Sequence, residues 1–283
     1  MGRFKLYFKV AKDFITGNTV NKQDIARAYD DVSHGYDNEF LDVMHRYNVS
    51  MLSMLDIPRE ARVLDLACGT GFNSSWILER YPDALIHASD ISCGMLKEAD
   101  KKLNGKVKLI EASMLEFLKQ CESGAVDVIV CSWALKYEPP LEVLRECWRV
   151  LKDGGQIGVI VNTKATLPEI RRIYRYLLID NSYQINKLMM ELPNPKNENQ
   201  LYKWFRICGF DKIKTSHGCH SFNFDSTDEA ARWVTSTGAL AGFDVMLNLR
   251  DNDMKKQISM LLEKFGVKSI THDFVLGVAN KCL

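Results

Sequence analysis

The chain has 283 residues, 46% of them hydrophobic and 26% charged, which supplies enough apolar side chains for a large buried core. Its 37 basic and 36 acidic side chains leave a net charge of +1, so the composition argues against the broad basic surface of a nucleic-acid-binding protein. The sequence shows neither a signal peptide nor an apolar run long enough to span a bilayer, and it predicts a cytoplasmic protein without a transmembrane segment.

The eight cysteines are scattered and include no Cys-x-x-Cys pair, which indicates reduced thiols rather than a disulfide framework. The segment from His217 to His220, which also contains Cys219, has residue types that bind metals. Alternation along a strand would place neighbouring ligands on opposite faces, and the companion ligands are missing. The sequence therefore predicts no metal site.

Residues 3–15 have the spacing of an amphipathic helix. Three lysines share one face, and the other face carries Phe4, Tyr7, Phe8, Ala11, Phe14 and Ile15. Such a helix can lie on an anionic membrane, cover a substrate pocket or pack against a second subunit. Three lysines attract lipid only weakly, so the sequence favours a lid within the chain or between subunits. Weak membrane association and a homodimer stay open as alternatives.

A second helical segment, residues 24–37, contains Tyr29, His34 and Tyr36. An unperturbed histidine is partly neutral near pH 7, which makes His34 a candidate general base. The alternatives are that His34 is a surface or helix-capping residue and that the tyrosines only anchor the helix.

The most informative segment is an apolar strand from Val63 that contains Asp65 and then turns through Gly69 and Gly71 into a helix. A second strand, residues 84–89, ends in another acid, Asp90. A glycine turn before a helix, with an acid closing the next strand, is how a doubly wound sheet holds an adenosine-type cofactor. The glycines let the backbone approach the ligand, and the Asp90 carboxylate can accept hydrogen bonds from both ribose hydroxyls.

The details of this turn distinguish between cofactors. Ser74 stands where the dinucleotide fingerprint has its third glycine, and Asp65 would repel a pyrophosphate. A carboxylate there suits the ammonium group of S-adenosylmethionine. At this point the chain resembles the class I S-adenosylmethionine-dependent methyltransferases, through residues 63–71 together with Asp90 and Ile91.

The resemblance extends over roughly residues 25–165 and looks similar to small-molecule methyltransferases of the quinone-biosynthesis type. Strand three is predicted at 107–111, strand four from Val126, and strand five ends near residue 163 after a turn at Gly154 and Gly155. The resemblance implies that Ser113 replaces an acid that bonds the adenine amino group, and that Tyr29 or Tyr36 closes over the methionine end. The implied cofactor-binding residues are Tyr29, Asp65, Ala67, Gly69, Gly71, Asp90, Ile91, Ser113, Met114 and Ser132. The catalytic candidates are His34, Tyr36 and Tyr137.

Alternation of strands and helices predicts an α/β fold with a doubly wound, mostly parallel sheet of seven strands and helical lid insertions. The last two strands are predicted at 211–224 and 271–279. The expected organisation is a helical cap at 1–45, a cofactor-binding core at 46–163, a helical lid at 164–199, and a C-terminal part of the sheet at 200–283 with a helical insertion at 226–268.

The sequence therefore predicts an S-adenosylmethionine-dependent methyltransferase acting on a small molecule at oxygen, nitrogen or carbon. The aromatic and methionine side chains of the insertions suit an apolar or aromatic acceptor. A nicotinamide-dependent oxidoreductase is the enzymatic alternative, disfavoured by Asp65 and Ser74. Methylation of RNA or protein, a thiol or metalloid acceptor, and a non-catalytic binding protein with the same fold are the others.

Overall fold

The structure is a computed structural model that describes residues 2–37, 41–236 and 240–282. The chain divides into two compact units. The sheet unit comprises Asp37–Ala165, Leu192–Gly218 and Asp273–Leu283; the helical unit comprises Met1–Tyr36, Thr166–Glu191 and Cys219–His272. This grouping of separated segments differs from the consecutive domains expected from the sequence, whose boundaries stay a prediction.

Seven strands form one sheet in the order β3-β2-β1-β4-β5-β7-β6. They are β1 (Arg62–Leu66), β2 (Leu85–Asp90), β3 (Lys108–Glu111), β4 (Val126–Ser132), β5 (Leu151–Asn162), β6 (Phe210–Asn223) and β7 (Ser269–Lys281). β1 pairs in parallel with β2 and β4, β3 with β2, and β5 with β4, whereas β7 is antiparallel to β5. The predicted doubly wound, mostly parallel sheet is confirmed.

The described helices are α1 (Gly2–Ile15), α2 (Lys22–Asp30), α3 (Leu41–Leu52), α4 (Phe72–Arg80), α5 (Cys93–Leu103), α6 (Met114–Gln120), α7 (Pro140–Val150), α8 (Pro168–Asp180), α9 (Glu198–Ile207), α10 (Thr227–Ser236), α11 (Phe243–Met246) and α12 (Asn252–Lys264). In the sheet unit they cover both faces. Leu64 and Leu66 of β1 pack in one cluster with α6, α7 and α9, while Val63 packs in another with α3, α4 and α5. Burial on both faces explains why the central strands are continuous apolar runs.

Strand five differs from its prediction. The expected turn at Gly154 and Gly155 lies inside β5, because the pairing advances two residues along β4, from Val126 to Val128, but five along β5. Gly154, with a φ of +82°, accommodates this irregularity without reversing the chain.

The later segments also differ in their bounds. The helix expected after Glu169 ends at Asp180, followed by a 3₁₀ turn at Ser182–Gln184. β6 and β7 are close to the predicted strands, although β7 is longer. The helical stretch expected from Thr227 comprises α10, α11 and α12; its predicted break at Gly242 precedes α11, and the break at Gly238 lies outside the described residues.

In the helical unit, α1 presents its apolar face to solvent. Phe4, Tyr7, Phe8, Phe14 and Ile15 are between 63% and 83% exposed. The opposite side is inward, where buried Asp13 forms an ion pair with Lys9 at 2.6 Å. The expectation that this face covers a pocket of its own chain is therefore wrong. None of the described helices has the length and apolar character that a membrane span requires.

Candidate functional site

The turn between β1 and α4 lies at the carboxyl ends of the parallel strands. Its backbone passes through left-handed conformations at Ala67, Gly69 and Gly71, with φ of +52°, +55° and +83°. The Cys68 N–H donates to the Ser89 carbonyl at 2.9 Å, which joins the turn to the end of β2. A non-glycine residue with positive φ is uncommon, and such residues concentrate at functional sites.

The two glycines of the turn serve different purposes. A Cβ on Gly69 would meet no atom within 4 Å, so the turn is open on that side. A Cβ on Gly71 would come within 2.9 Å of Leu103 Cδ1, so this glycine allows α5 to approach the turn. Only Gly69 has the free approach expected of a ligand cradle, while Gly71 is required for packing.

Asp90, at the end of β2, is bonded to the turn. Its Oδ2 accepts the Gly69 N–H at 2.9 Å and its Oδ1 accepts the Ser92 N–H at 2.9 Å. The side chain is 8% exposed, and half-buried Ile91 follows it. A carboxylate has about four acceptor positions, so these two bonds leave capacity for further donors.

Asp65 is fully buried and bonded to the start of α4. Its Oδ2 accepts from the Ser74 N–H at 3.1 Å and from the Ser74 hydroxyl at 2.7 Å, and its Oδ1 accepts from Asn73 Nδ2 at 3.3 Å. Burial raises the pKa of Asp65 to about 6, against the lowering effect of these bonds. Ser74 is thus the partner of the acid, which explains a hydroxyl at the third position of the glycine pattern.

A chain of buried amides connects this acid to the end of β4. Asn73 Nδ2 also donates to Ser132 Oγ at 3.1 Å, and Asn73 Oδ1 accepts from Asn48 Nδ2 of α3 at 3.0 Å. Asn48 Oδ1 accepts the Trp133 indole N–H at 2.8 Å. Trp133 has a φ of +67°, so strained backbone occurs at the ends of two neighbouring strands.

Ser113 and Met114, the residues expected at the adenine, are both engaged within the protein. Ser113 caps α6, because its hydroxyl accepts from the Glu116 N–H while the Glu116 carboxylate accepts the Ser113 N–H. Met114 is buried with its sulfur 3.6 Å from Cys131 Sγ. Their predicted contacts with adenine stay predictions.

The segment after β4 forms a 3₁₀ turn, Leu135–Tyr137, with Tyr137 half-buried. Lys136 is buried with its Nζ 5.1 Å from the centroid of the Tyr137 ring, and burial lowers its pKa to about 8. The Oε2 of buried Glu138 accepts the Leu115 N–H at 3.0 Å. The sequence reasoning selected Tyr137 but overlooked Lys136, Glu138, Asn48 and Asn73.

The other candidates lie in the N-terminal segments. Tyr29 and Tyr36 belong to the helical unit, where their rings meet edge to face at 6.1 Å. His34, in the same unit, is exposed in a 3₁₀ turn. In the sheet unit, His45 stacks on Phe72 at 3.6 Å, next to the glycine turn.

Asp37 was not selected from the sequence. It accepts from Thr70 Oγ1 at 2.7 Å and pairs with Lys102 at 2.8 Å, within the sheet unit. Of the residues considered for a metal, His217 bonds Asp273 at 2.8 Å, and the described parts of the chain contain no group of three potential ligands.

Comparison with known proteins identifies the core. A family model described as a methyltransferase domain matches residues 63–155. The ubiquinone/menaquinone biosynthesis C-methyltransferase UbiE of Syntrophotalea carbinolica is 29% identical over 54% of this chain and 67% of its own. The malonyl-[acyl-carrier protein] O-methyltransferase of a Marinomonas species is 26% identical over 77% of both.

Several curated relatives are much longer than the matched part; the chain spans 24%, 39% and 56% of three of them. Among solved structures, the phosphoethanolamine N-methyltransferase 2 of Haemonchus contortus, in complex with S-adenosylhomocysteine, has a TM-score of 0.52 and 15% identity. That match covers 84% of this chain and 53% of the other, and it shows a shared fold. From its sheet and its sequence matches, the chain belongs to the class I S-adenosylmethionine-dependent methyltransferases, with residues 63–155 as the methyltransferase domain.

Proposed function

We propose that this protein transfers a methyl group from S-adenosylmethionine to a small-molecule acceptor at an oxygen, nitrogen or carbon atom. The observation that carries the proposal is the turn at Gly69, which is open on the side of its absent Cβ and is bonded to the Asp90 carboxylate. Ligands of open α/β sheets bind at this edge, beyond the carboxyl ends of the strands.

The residues at the turn fit the cofactor. Asp90 retains acceptor capacity for the ribose hydroxyls, and the negative charge of Asp65 favours an ammonium group over a pyrophosphate. Ala67, Gly69 and Gly71 shape the turn, and Ile91, Ser113 and Met114 are proposed for the adenine. When bound, S-adenosylmethionine supplies an electrophilic methyl carbon on a positively charged sulfur.

The task of the protein is then to orient the acceptor and exclude water. Positioning alone can supply up to about 7–11 kcal/mol of the barrier in well-oriented cases. Ser132 and Tyr137 follow β4, where the methyl is expected to face, and His34 and Tyr36 stay candidates from the sequence. A positioned base would add roughly a hundredfold to ten-thousandfold if the acceptor must lose a proton.

The acceptor class is proposed to be a small, apolar or aromatic molecule of biosynthetic metabolism. The names of two relatives specify a quinone pathway and a malonyl group on an acyl-carrier protein, which is methylated at carbon in one and at oxygen in the other. These similarities support a metabolic acceptor and leave its methylated atom open.

The decisive experiment is to incubate the protein with labelled S-adenosylmethionine and a metabolite extract, and to identify labelled products by mass spectrometry. A labelled small molecule supports the proposal. Label in RNA or protein would replace it with the macromolecular alternative, and cofactor binding without any labelled product would indicate a non-catalytic binding protein.

The exposed face of α1 bears on two further predictions, homodimer formation and weak membrane association. Sedimentation with anionic vesicles, compared between the full chain and a variant lacking residues 1–15, tests the second. Light scattering of the same pair tests the first. A protein that stays monomeric and does not sediment with vesicles would contradict both.

A further inference from the structure

Lys136 occupies a place where the fold presents ligands. It lies in the 3₁₀ turn Leu135–Tyr137, four residues beyond Ser132 at the carboxyl end of β4. β4 is hydrogen-bonded to β1, whose own carboxyl end continues into the glycine turn. The carboxyl ends of adjacent parallel strands meet at the same edge of a sheet, which is where open α/β proteins bind their substrates.

The Lys136 side chain is 8% exposed. Within the described residues it makes no ion pair and no hydrogen bond, and its recorded contact is the Tyr137 ring at 5.1 Å. Burial is the cause that lowers its pKa, without a contribution from a neighbouring carboxylate.

Lys281 shows what a buried lysine in this protein otherwise does. It has the same 8% exposure, but its Nζ donates to the Leu151 carbonyl at 2.8 Å, lies 3.6 Å from Asp153 and sits over the Trp148 ring at 4.4 Å. Lys281 therefore has a carbonyl, a carboxylate and a ring as partners. Lys136 has the ring alone.

We propose that Lys136 binds an anionic oxygen of the acceptor, a carboxylate or a phenolate, at the carboxyl end of β4. This inference rests on the proposed methyl transfer and adds the acceptor's charge to it. A buried ammonium without a counter-ion is costly, and an anion placed beside it would remove that cost and gain a charge-assisted hydrogen bond.

The number of donors restricts the anion. One lysine offers a single compact positive charge, whereas phosphate groups are held by several donors, such as arginine forks or rows of backbone N–H groups. The site therefore suits a singly charged oxygen anion. With a pKa of about 8, the amine is mostly protonated at pH 7, which favours a binding role over that of a base.

The test separates the metabolite extract by anion exchange before labelling. Carboxylates are retained at pH 7, and phenols are retained only near pH 11, so the two fractions distinguish the two sources of the anion. Each fraction and the unretained material is then incubated with labelled S-adenosylmethionine and the wild-type protein. We expect the label in one of the retained fractions.

Three variants accompany the assay. Lys136→Met should reduce kcat/KM with the retained acceptor about ten- to a hundredfold, leave S-adenosylhomocysteine affinity unchanged by calorimetry, and not lower the melting temperature. Lys136→Arg keeps the positive charge and should recover most of the loss, which a proton-accepting amine would not allow. Lys119→Met, which makes the same change at an exposed position of α6, should behave as wild type.

The outcomes separate this inference from the function on which it rests. Label only in the unretained material would overturn the anion site and leave methyl transfer standing. Wild-type kinetics of Lys136→Met would do the same. Label in no fraction, despite S-adenosylhomocysteine binding, would overturn the proposed function and the inference with it.

Discussion

Asp90 combines a structural and a proposed binding role. Its carboxylate accepts the Gly69 N–H at 2.9 Å, and the ribose hydroxyls are proposed to use its remaining acceptor positions. Asp90→Ala should weaken S-adenosylhomocysteine binding by roughly ten- to a hundredfold, because charged hydrogen bonds contribute about 1.5–3 kcal/mol. Titration calorimetry measures this directly.

Asp127 provides a matched control for Asp90. It too accepts a backbone N–H, that of Arg62 at 2.8 Å, but it lies near the amino end of β4. Asp127→Ala should leave cofactor affinity unchanged even if it lowers stability. Equal losses of affinity in both variants would show that Asp90 acts only through folding.

Gly69 permits a test of the cradle itself. Gly69→Val should abolish S-adenosylhomocysteine binding, because its side chain would enter the open space beside the turn. Gly124→Val imposes the same left-handed strain, at a φ of +65° and also with no atom within 4 Å, but between α6 and β4. It should bind normally. A Gly69→Val protein that folds and binds would exclude the turn as the cofactor site.

Asp65 predicts a pH effect on stability. Its folded-state pKa of about 6 is above the model value of 3.8, so the folded state favours the protonated acid and loses stability as the pH rises through that interval. Asp65→Asn removes this titration. The unfolding free energy of the variant relative to wild type should therefore increase by about 3 kcal/mol between pH 4 and pH 7.

Urea unfolding of both proteins at the two pH values measures that difference. The comparison is independent of any constant cost of replacing the carboxylate by an amide, because only the change with pH is interpreted. A difference that stays constant would contradict the raised pKa of Asp65.

At the scale of the element, α1 shows that an apolar stripe does not always face a core. Phe8→Ser, at a side chain 70% exposed, should change the unfolding free energy by no more than about 0.5 kcal/mol. Leu177→Ala in α8, at a side chain 2% exposed, should cost about 2–5 kcal/mol. Urea unfolding of the two variants makes the comparison; a large loss for Phe8→Ser would mean that α1 is covered in solution.

The elements predicted well are those whose signal is local. β1, β2 and the intervening turn follow from an apolar run, two acids and two glycines within thirty residues. β5 was less predictable, because Gly154 and Gly155 indicate a chain reversal by composition, whereas pairing with β4 keeps them within the strand. Tertiary pairing of this kind leaves no trace in a local pattern.

The same distinction applies to the site. Asp65, Gly69 and Asp90 could be selected from spacing, but the roles of Asn48 and Asn73 depend on partners 25 and 59 residues away, in Asn73 and Ser132. Lys136 stands among ordinary helix-start residues, and only burial distinguishes it. A single sequence does not report which of 37 basic side chains lacks a counter-ion.

For the whole molecule, the proposed cofactor should stabilise the fold. At a hundredfold excess over its dissociation constant, S-adenosylhomocysteine should add about 2.7 kcal/mol to the unfolding free energy, because it binds the native state alone. NAD at the same concentration should add nothing, since the negative Asp65 disfavours its pyrophosphate. Thermal melting with each ligand measures the effect, and stabilisation by NAD alone would favour the oxidoreductase alternative.

The two compact units are interleaved along the chain, and each is assembled from three separate stretches. No single cut in the polypeptide can release either unit whole, so limited proteolysis or truncation cannot isolate an independent catalytic fragment. The chain must leave and re-enter each unit before it is complete, which requires closing long loops and slows folding. Ribosomal synthesis therefore cannot finish either unit until the C-terminal strand has emerged.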